Sequence, residues 1–392
     1  MPSPSRRRFL AGLGAASVGL SGCLSGGSSP PSGDLGEVDG AWSMAGRDQG
    51  HSRRVADGPA DPETVWLTQL DGARAARTPA AVDDVLYVPV DAVSERSHHR
   101  HRIHALVAAT GEERWQVPLR AAPNGPPAVY GDRVVVTARR STHRGRVVCF
   151  EERYGREDWL YDVDARLTAS PTVAGGVVYV PDWNGKVHAL SVADGSVRWS
   201  RRVGDDDHAP TFTEPVAVAD GVLYVGSRAG TTGVTALDAD TGEQLWHEST
   251  PAVTAGPVVH GEHVFARTDG LVVSFGLDGT RRWAVSVPDT GVGPVAVDDR
   301  HLYVRGRERL DAIDRAGEQV WTHAPSDGRP GVPTVVGDSV VLRGRDSLVG
   351  LSRDAGEERW TRSPDGTGRA VVTPNAIFLS GYGGRVLALG DG

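Results

Sequence analysis

The chain is poor in cysteine, lysine and asparagine. Cys23 and Cys149 are the only cysteines among 392 residues, too few for a disulfide framework. Neither an adjacent Cys pair nor a C-x-x-C-H run occurs, so a covalently attached haem is excluded. Lys186 is the one lysine in a basic set of 42. It is followed by Val187, not by the Ser or Thr that a phosphate-cradling P-loop needs. Asn124, Asn184 and Asn375 lie outside any N-x-S/T acceptor. No segment keeps a 3.6-residue apolar period over a helix length. The formal charge of −8 carries no clustered basic footprint, so nucleic acid is not an expected partner.

What is abundant is glycine, 50 residues, about twice the usual share of roughly 7%. That suits a chain with many tight turns. Arginine supplies almost all positive charge against 50 acidic residues. Arginine stays charged and pairs bidentately with carboxylates, so the expected surface is a solvated ionic one. This bias fits a GC-rich, salt-adapted, haloarchaeal source.

The first residues read as an address. Arg6, Arg7 and Arg8 precede a short Gly/Ala-rich apolar run, Leu10 to Leu20. The run is shorter than the ~20 residues of a spanning helix and has the layout of a signal peptide. Ser5-Arg6-Arg7-Arg8-Phe9-Leu10 resembles the twin-arginine export motif. Leu20-Ser21-Gly22-Cys23 resembles a lipobox, which implies lipidation of Cys23. The expected organisation is a signal peptide over 1–22, a flexible Gly/Ser/Pro-rich tether over 23–40, a lead-in over 41–62 and a folded domain over 63–392. Removing 1–22 would take away three arginines and no acids. An acidic domain would then hang off the membrane by its lipid anchor alone, because anionic headgroups repel it.

The domain is a repeat. Gly and Trp stand four apart at Gly111–Trp115, Gly155–Trp159, Gly195–Trp199, Gly242–Trp246, Gly279–Trp283, Gly317–Trp321 and Gly356–Trp360. These tryptophans are 37 to 47 residues apart. Between them lie short Val/Thr/Tyr-rich runs broken by turn residues, about four strands per repeat. That period and content indicate propeller blades. Asp194-Gly195 reads as an Asp-Gly hairpin turn supplying positive-φ positions. Residues 368–392 hold three strands of an eighth repeat but no tryptophan. The segment 63–70 carries Trp66 in the missing fourth-strand style. The expected fold is all-β: an eight-bladed propeller of four-stranded antiparallel blades, the last closed by the N-terminal strand around Trp66.

The phrase A-x-D-x-x-x-G-x-x-x-W resembles the tryptophan-docking motif of the quinoprotein-type (PQQ-like) β-propeller family. Ala236, Asp238, Gly242 and Trp246 match it fully, and Ala105, Cys149, Ala189, Ser274, Ala312 and Gly350 occupy the small-residue slot elsewhere. "AWSMAGRDQGHSR" (41–53) resembles the lead-in before such propellers. The resemblance implies structural docking roles for Trp66, Trp115, Trp159, Trp199, Trp246, Trp283, Trp321 and Trp360. For the family's dehydrogenases it implies PQQ and Ca2+ above the channel, a vicinal Cys–Cys disulfide, an Asp base and long insertions. None of those features is found in this sequence, so no catalytic or cofactor-binding residue is assigned. For the family's lipoproteins it implies a scaffold that binds protein or cell-surface partners. The expectation is therefore an exported, membrane-anchored, non-catalytic propeller, with a PQQ/Ca2+-dependent oxidoreductase of alcohols or sugars as the alternative. His98, His99, His101 and His104 crowd one hairpin and are candidate ligands for Zn2+, Cu2+ or Ni2+. Their Arg-interrupted setting supplies no completing carboxylate or Cys, so no metal site is assigned.

Overall fold

Val, Tyr and Leu dominate the apolar runs of each repeat, and in the computed structural model every regular element among the described residues is a strand. Those residues are 31–92, 101–204, 208–287, 293–364 and 368–391. Contacts divide the chain into Met1–Pro30 and Pro31–Gly392, and all described residues fall in the second. Cys23 and the signal residues lie outside them.

Eight sheets form, seven of them in chain order from inner strand A to outer strand D. Blade 3 shows the plan, with Thr172–Ala174, Val177–Pro181, Lys186–Ser191 and Val197–Arg202. Strands B and C are covered on both faces by neighbouring blades, so they are nearly continuously buried and read as unbroken apolar runs. Strand D forms the rim, and only Trp199 in it is buried.

Register explains the small-residue slot. Ala189 pairs directly with Trp199, and the ladder shifts between Ala189 and Leu190. The same pairing places Ala105 against Trp115, Cys149 against Trp159, Ala236 against Trp246 and Gly350 against Trp360. Each bulge lets the C–D loop turn inward. The Asp194-Gly195 turn differs from its sequence reading. Only Gly195 takes positive φ, 70°, while Asp194 accepts a hydrogen bond from Ser196 N–H at 3.1 Å. Gly195 N–H donates to Ser191 O at 2.9 Å, so the loop is wider than a two-residue hairpin because a bulge is built into it.

The glycine of each docking phrase serves the preceding blade's tryptophan. A Cβ on Gly195 would stand 2.6 Å from the Trp159 ring, and one on Gly242 would stand 2.7 Å from Trp199. The indole N–H then reaches over the same loop. Trp159 donates to Val192 O at 2.9 Å, Trp199 to Ala239 O at 3.0 Å and Trp321 to Arg353 O at 3.0 Å. Docking therefore joins neighbours around the ring.

Blade 8 uses both ends of the folded domain. Val371–Thr373, Ala376–Ser380 and Arg385–Asp391 pair in order, and Pro62–Gln69 completes the sheet antiparallel to Arg385–Asp391. Trp66 lies opposite Ala388 and donates to Ala108 O of blade 1 at 3.0 Å. No C–D loop joins these distant segments, so Trp360 of blade 7 has no such loop to dock on. Arg362 replaces it, donating to Pro62 O at 3.0 Å and pairing with Asp61.

The segment read as a lead-in lies inside the ring. Trp42 exchanges two hydrogen bonds with Ala81 of blade 1. Carbonyls of Ser43, Gln49, Gly50, Ser52 and Arg53 accept from Val129, Val218, Val259, Val297 and Val335, all on inner strands. Arg54–Val55 adds a parallel strand to blade 7. Upstream, Asn375 of blade 8 donates to Glu37 O at 2.6 Å, and Leu67 N–H donates to Pro31 O at 3.0 Å. The second half of the stretch read as a tether thus runs along the ring.

Trp66 is 1% exposed, whereas Trp360 is only partly buried. We expect Trp66→Ala to cost about 3–5 kcal/mol and Trp360→Ala clearly less, read as melting temperatures by calorimetry. Equal losses would contradict closure through Trp66.

Candidate functional site

The inner strands leave an axial channel, and the 42–56 segment closes it part way. Above this floor, on the face formed by the D–A and B–C connections, lies a cavity of about 390 Å3. Its floor carries Trp42, His51 and Arg53, and its walls carry Asn124, Trp183, Glu214, Arg228 and Arg369. Trp42 and Trp183 are the two tryptophans outside the docking series, and both face this cavity.

The floor is held by local strain. Arg47, His51 and Arg53 take positive φ of 81°, 60° and 54°, a conformation that costs non-glycine residues energy and persists only where surroundings enforce it. His51 Nε2 donates to Val216 O at 2.7 Å. Burial keeps this imidazole neutral by lowering its pKa. Arg53 donates through Nε to Pro333 O at 3.0 Å and lies 5.0 Å above the Trp42 ring. Its pKa falls to about 9 because of burial and repulsion by Arg369.

The walls are ordered by short polar contacts. Trp183 Nε1 donates to Thr168 Oγ1 at 2.8 Å, and Arg166 stacks 4.0 Å over its ring. Burial raises the Glu214 carboxyl pKa, with Arg369 and Arg228 pulling the other way. Arg369 is itself lowered by burial, with Glu214 opposing. Asn124 Nδ2 is buried without a hydrogen-bond partner. Among the described residues the cavity therefore sets three guanidiniums and a free amide donor against one carboxylate. Its field attracts anions and repels cations.

Of the histidines marked in the sequence, His98 and His99 lie outside the described residues. His104 is buried and bound through Nδ1 to Glu113 at 2.7 Å. His101 stands 3.6 Å from Asp91. Among the described residues no cluster of three His, Cys, Asp or Glu side chains forms a metal site. Cys149 is buried beneath its tryptophan partner, and its thiol pKa is pushed up to about 12 by burial. The docking tryptophans occupy interfaces between blades and do not reach the axial cavity. Sequence reasoning missed Glu214, Arg369 and Trp183. Their signal was only that Trp183 stands outside the Gly-to-Trp interval.

A ring of eight tryptophan-docked, four-stranded blades defines a propeller of the PQQ-like repeat class. Residues 53–210, 201–288 and 268–392 match the family described as outer membrane protein assembly factor BamB, and the chain belongs to that family. It is 24% identical over 229 residues to outer membrane protein assembly factor BamB of Yersinia pestis, covering 56% of this chain and 48% of that protein. The structure of BamB from Moraxella catarrhalis superposes with a TM-score of 0.67 at 16% identity, covering 84% of this chain and 99% of that one. The quinohemoprotein alcohol dehydrogenase of Comamonas testosteroni gives a TM-score of 0.71 at 15% identity, covering 89% and 80%. At such identities these two structures share the fold. The matched region spans between 16% and 51% of the length of its curated relatives.

Acid should loosen the floor. A histidine whose folded pKa is lowered contributes stability above its unfolded value near 6.5, and that stability is lost as pH falls. His51, His104, His247, His263 and His323 all shift this way, His263 to about 4. We expect the melting temperature to fall between about pH 6.5 and 5, above the carboxylate range, and His51→Gln to flatten part of the slope. A flat profile over that window in a calorimetric series would refute this.

Proposed function

We propose that the chain is an exported lipoprotein, held through Cys23 at the outer face of the cytoplasmic membrane. Its propeller acts as a non-catalytic protein-interaction scaffold or ligand-binding module. The family match over residues 53–392 supports the scaffold role, because the family description is an assembly factor. The scarcity of lysine supports a salt-adapted, haloarchaeal host. The Arg6–Arg8 run and the Leu20–Cys23 phrase support export and anchoring.

The observation that carries the non-catalytic reading is the charge of the axial cavity. Ca2+ takes six to eight oxygen ligands. Among the described residues lining this cavity Glu214 is the only carboxylate, and Arg53, Arg228 and Arg369 oppose a dication. These residues do not fit a Ca2+-held quinone, and no redox step is derived through one.

The test uses the full chain supplied with PQQ and Ca2+ and assayed by dye-linked oxidation of alcohols and sugars. No turnover is expected, and turnover would move the assignment to a quinoprotein oxidoreductase. Cys23→Ser should shift the protein from the membrane fraction to the soluble fraction. Retention in the membrane would remove the lipid anchor from the reading.

A further inference from the structure

Beside the axial cavity lies a second and larger concavity of about 810 Å3, spanning blades 8, 1 and 2 on the same face. Blade 8 supplies Arg369 and Tyr382, blade 1 supplies Arg74 and Arg77, and blade 2 supplies Arg139 and Arg140. Arg369 and Thr78 line both spaces, so the groove opens into the axial cavity. Among the described residues Asp91 is the only acidic one on its wall.

We propose that this groove docks an acidic, extended peptide segment of a partner protein. Five arginines converge on a protein whose overall charge is −8. A basic concavity on an acidic body focuses its field and draws negative ligands to one place. Some of this charge is neutralised. Arg77 pairs with Asp91, and Arg140 lies 3.0 Å from Asp162, which also takes Arg146. Among the described residues Arg74 and Arg139 have no acidic partner, and Glu214 is the one acidic group that opposes Arg369. Guanidinium forks match carboxylates bidentately, unlike a lysine surface.

The platform beneath the arginines is rigid. Ala76 N–H donates to Gly381 O and Gly383 N–H to Arg74 O, each at 2.9 Å. Ser380 Oγ donates to Arg77 O at 2.8 Å. These bonds join blade 8 to blade 1, so the backbone that carries Arg74 and Arg77 is fixed against the blade 8 hairpin. Tyr382 stands 75% exposed at the lip. It offers an aromatic body and a hydroxyl of the kind that anchors peptide ligands.

Concavity and charge select among anions. A flat bilayer surface does not enter a groove with its basic groups on the walls, and the acidic body repels anionic headgroups. Nucleic acid meets the same repulsion over its greater length. An extended acidic chain places carboxylates along the groove at low cost.

This proposal rests on the reading of the propeller as a binding module. Its test uses purified components, so its failure is distinguishable from failure of the anchor or turnover experiments. Fluorescein-labelled hexa-aspartate is titrated with the full chain at low salt and followed by anisotropy, with hexa-lysine as the opposite-charge probe. The wild type should bind hexa-aspartate and not hexa-lysine, with affinity falling as salt rises. Arg74→Glu/Arg139→Glu should weaken binding at least about tenfold. Arg198→Glu/Arg281→Glu, on exposed outer-strand positions of blades 3 and 5, should not. If the reversed pair fails to fold, Arg74→Gln/Arg139→Gln replaces it, checked by an unchanged melting temperature. Undiminished binding by a folded groove variant overturns the proposal. So does displacement of the peptide by an equal concentration of inorganic phosphate, or binding to phosphatidylglycerol vesicles without binding to the peptide.

Discussion

A four-stranded blade has two open edges, and the inner one is the harder to satisfy. Strand A of every blade points backbone N–H groups into the axial channel, where leaving them unpaired would cost free energy. The 42–56 segment meets this demand with its own carbonyls, accepting from Val129, Val218, Val259, Val297 and Val335 in turn. To follow the circle it must bend at every step. This explains positive φ at Arg47, His51 and Arg53, of which His51 and Arg53 carry side chains into the floor. The cavity above exists because that floor exists. Its basic character follows too, since Arg53 is held there by carbonyl and hydroxyl acceptors rather than by a carboxylate.

The outer half of the ring depends on a different contact. Each docking tryptophan lies on the glycine of the next blade and bonds to that blade's C–D loop, so the interaction propagates around the circle. A chain of such contacts stabilises a closed ring more than an open one, because closure removes two bare faces. The single break is at blade 8, where the strands come from distant segments. There Trp66 continues the docking onto blade 1. Arg362, with its contacts to Asp61 and Pro62, supplies the join that a C–D loop supplies elsewhere.

This division explains what could be read in the sequence. Blades were legible because docking is local and repeated. The slot residue, the glycine and the tryptophan stand within a dozen positions of one another, as at Ala236, Gly242 and Trp246. Closure was legible because one tryptophan was missing from the last repeat and one stood spare at Trp66. The course of the 42–56 segment was not legible. Its bonds are made by backbone carbonyls to six different blades, and carbonyls leave no mark on side-chain pattern. The Asp194-Gly195 turn was misread because the bulge that widens it serves the tryptophan pairing, a tertiary demand. Glu214 and Arg228 flank the first two strands of blade 4 and Arg369 leads into blade 8, so only the ring brings them together.

The same logic places function on one face. On the A–B side the 42–56 segment occupies the channel mouth, whereas on the D–A and B–C side the funnel stays open down to Trp42. Connections on the open side are also the freest to vary, since docking uses only the C–D loops on the other side. The passage from blade 8 into blade 1, the blade 2 hairpin and the blade 7 to blade 8 connection each contribute arginine there. An acidic surface keeps the body apart from like-charged neighbours, while a basic recess in it remains accessible to one kind of ligand. A fold that confines its structural contacts to one side and its variable charge to the other can change partners without loosening the ring.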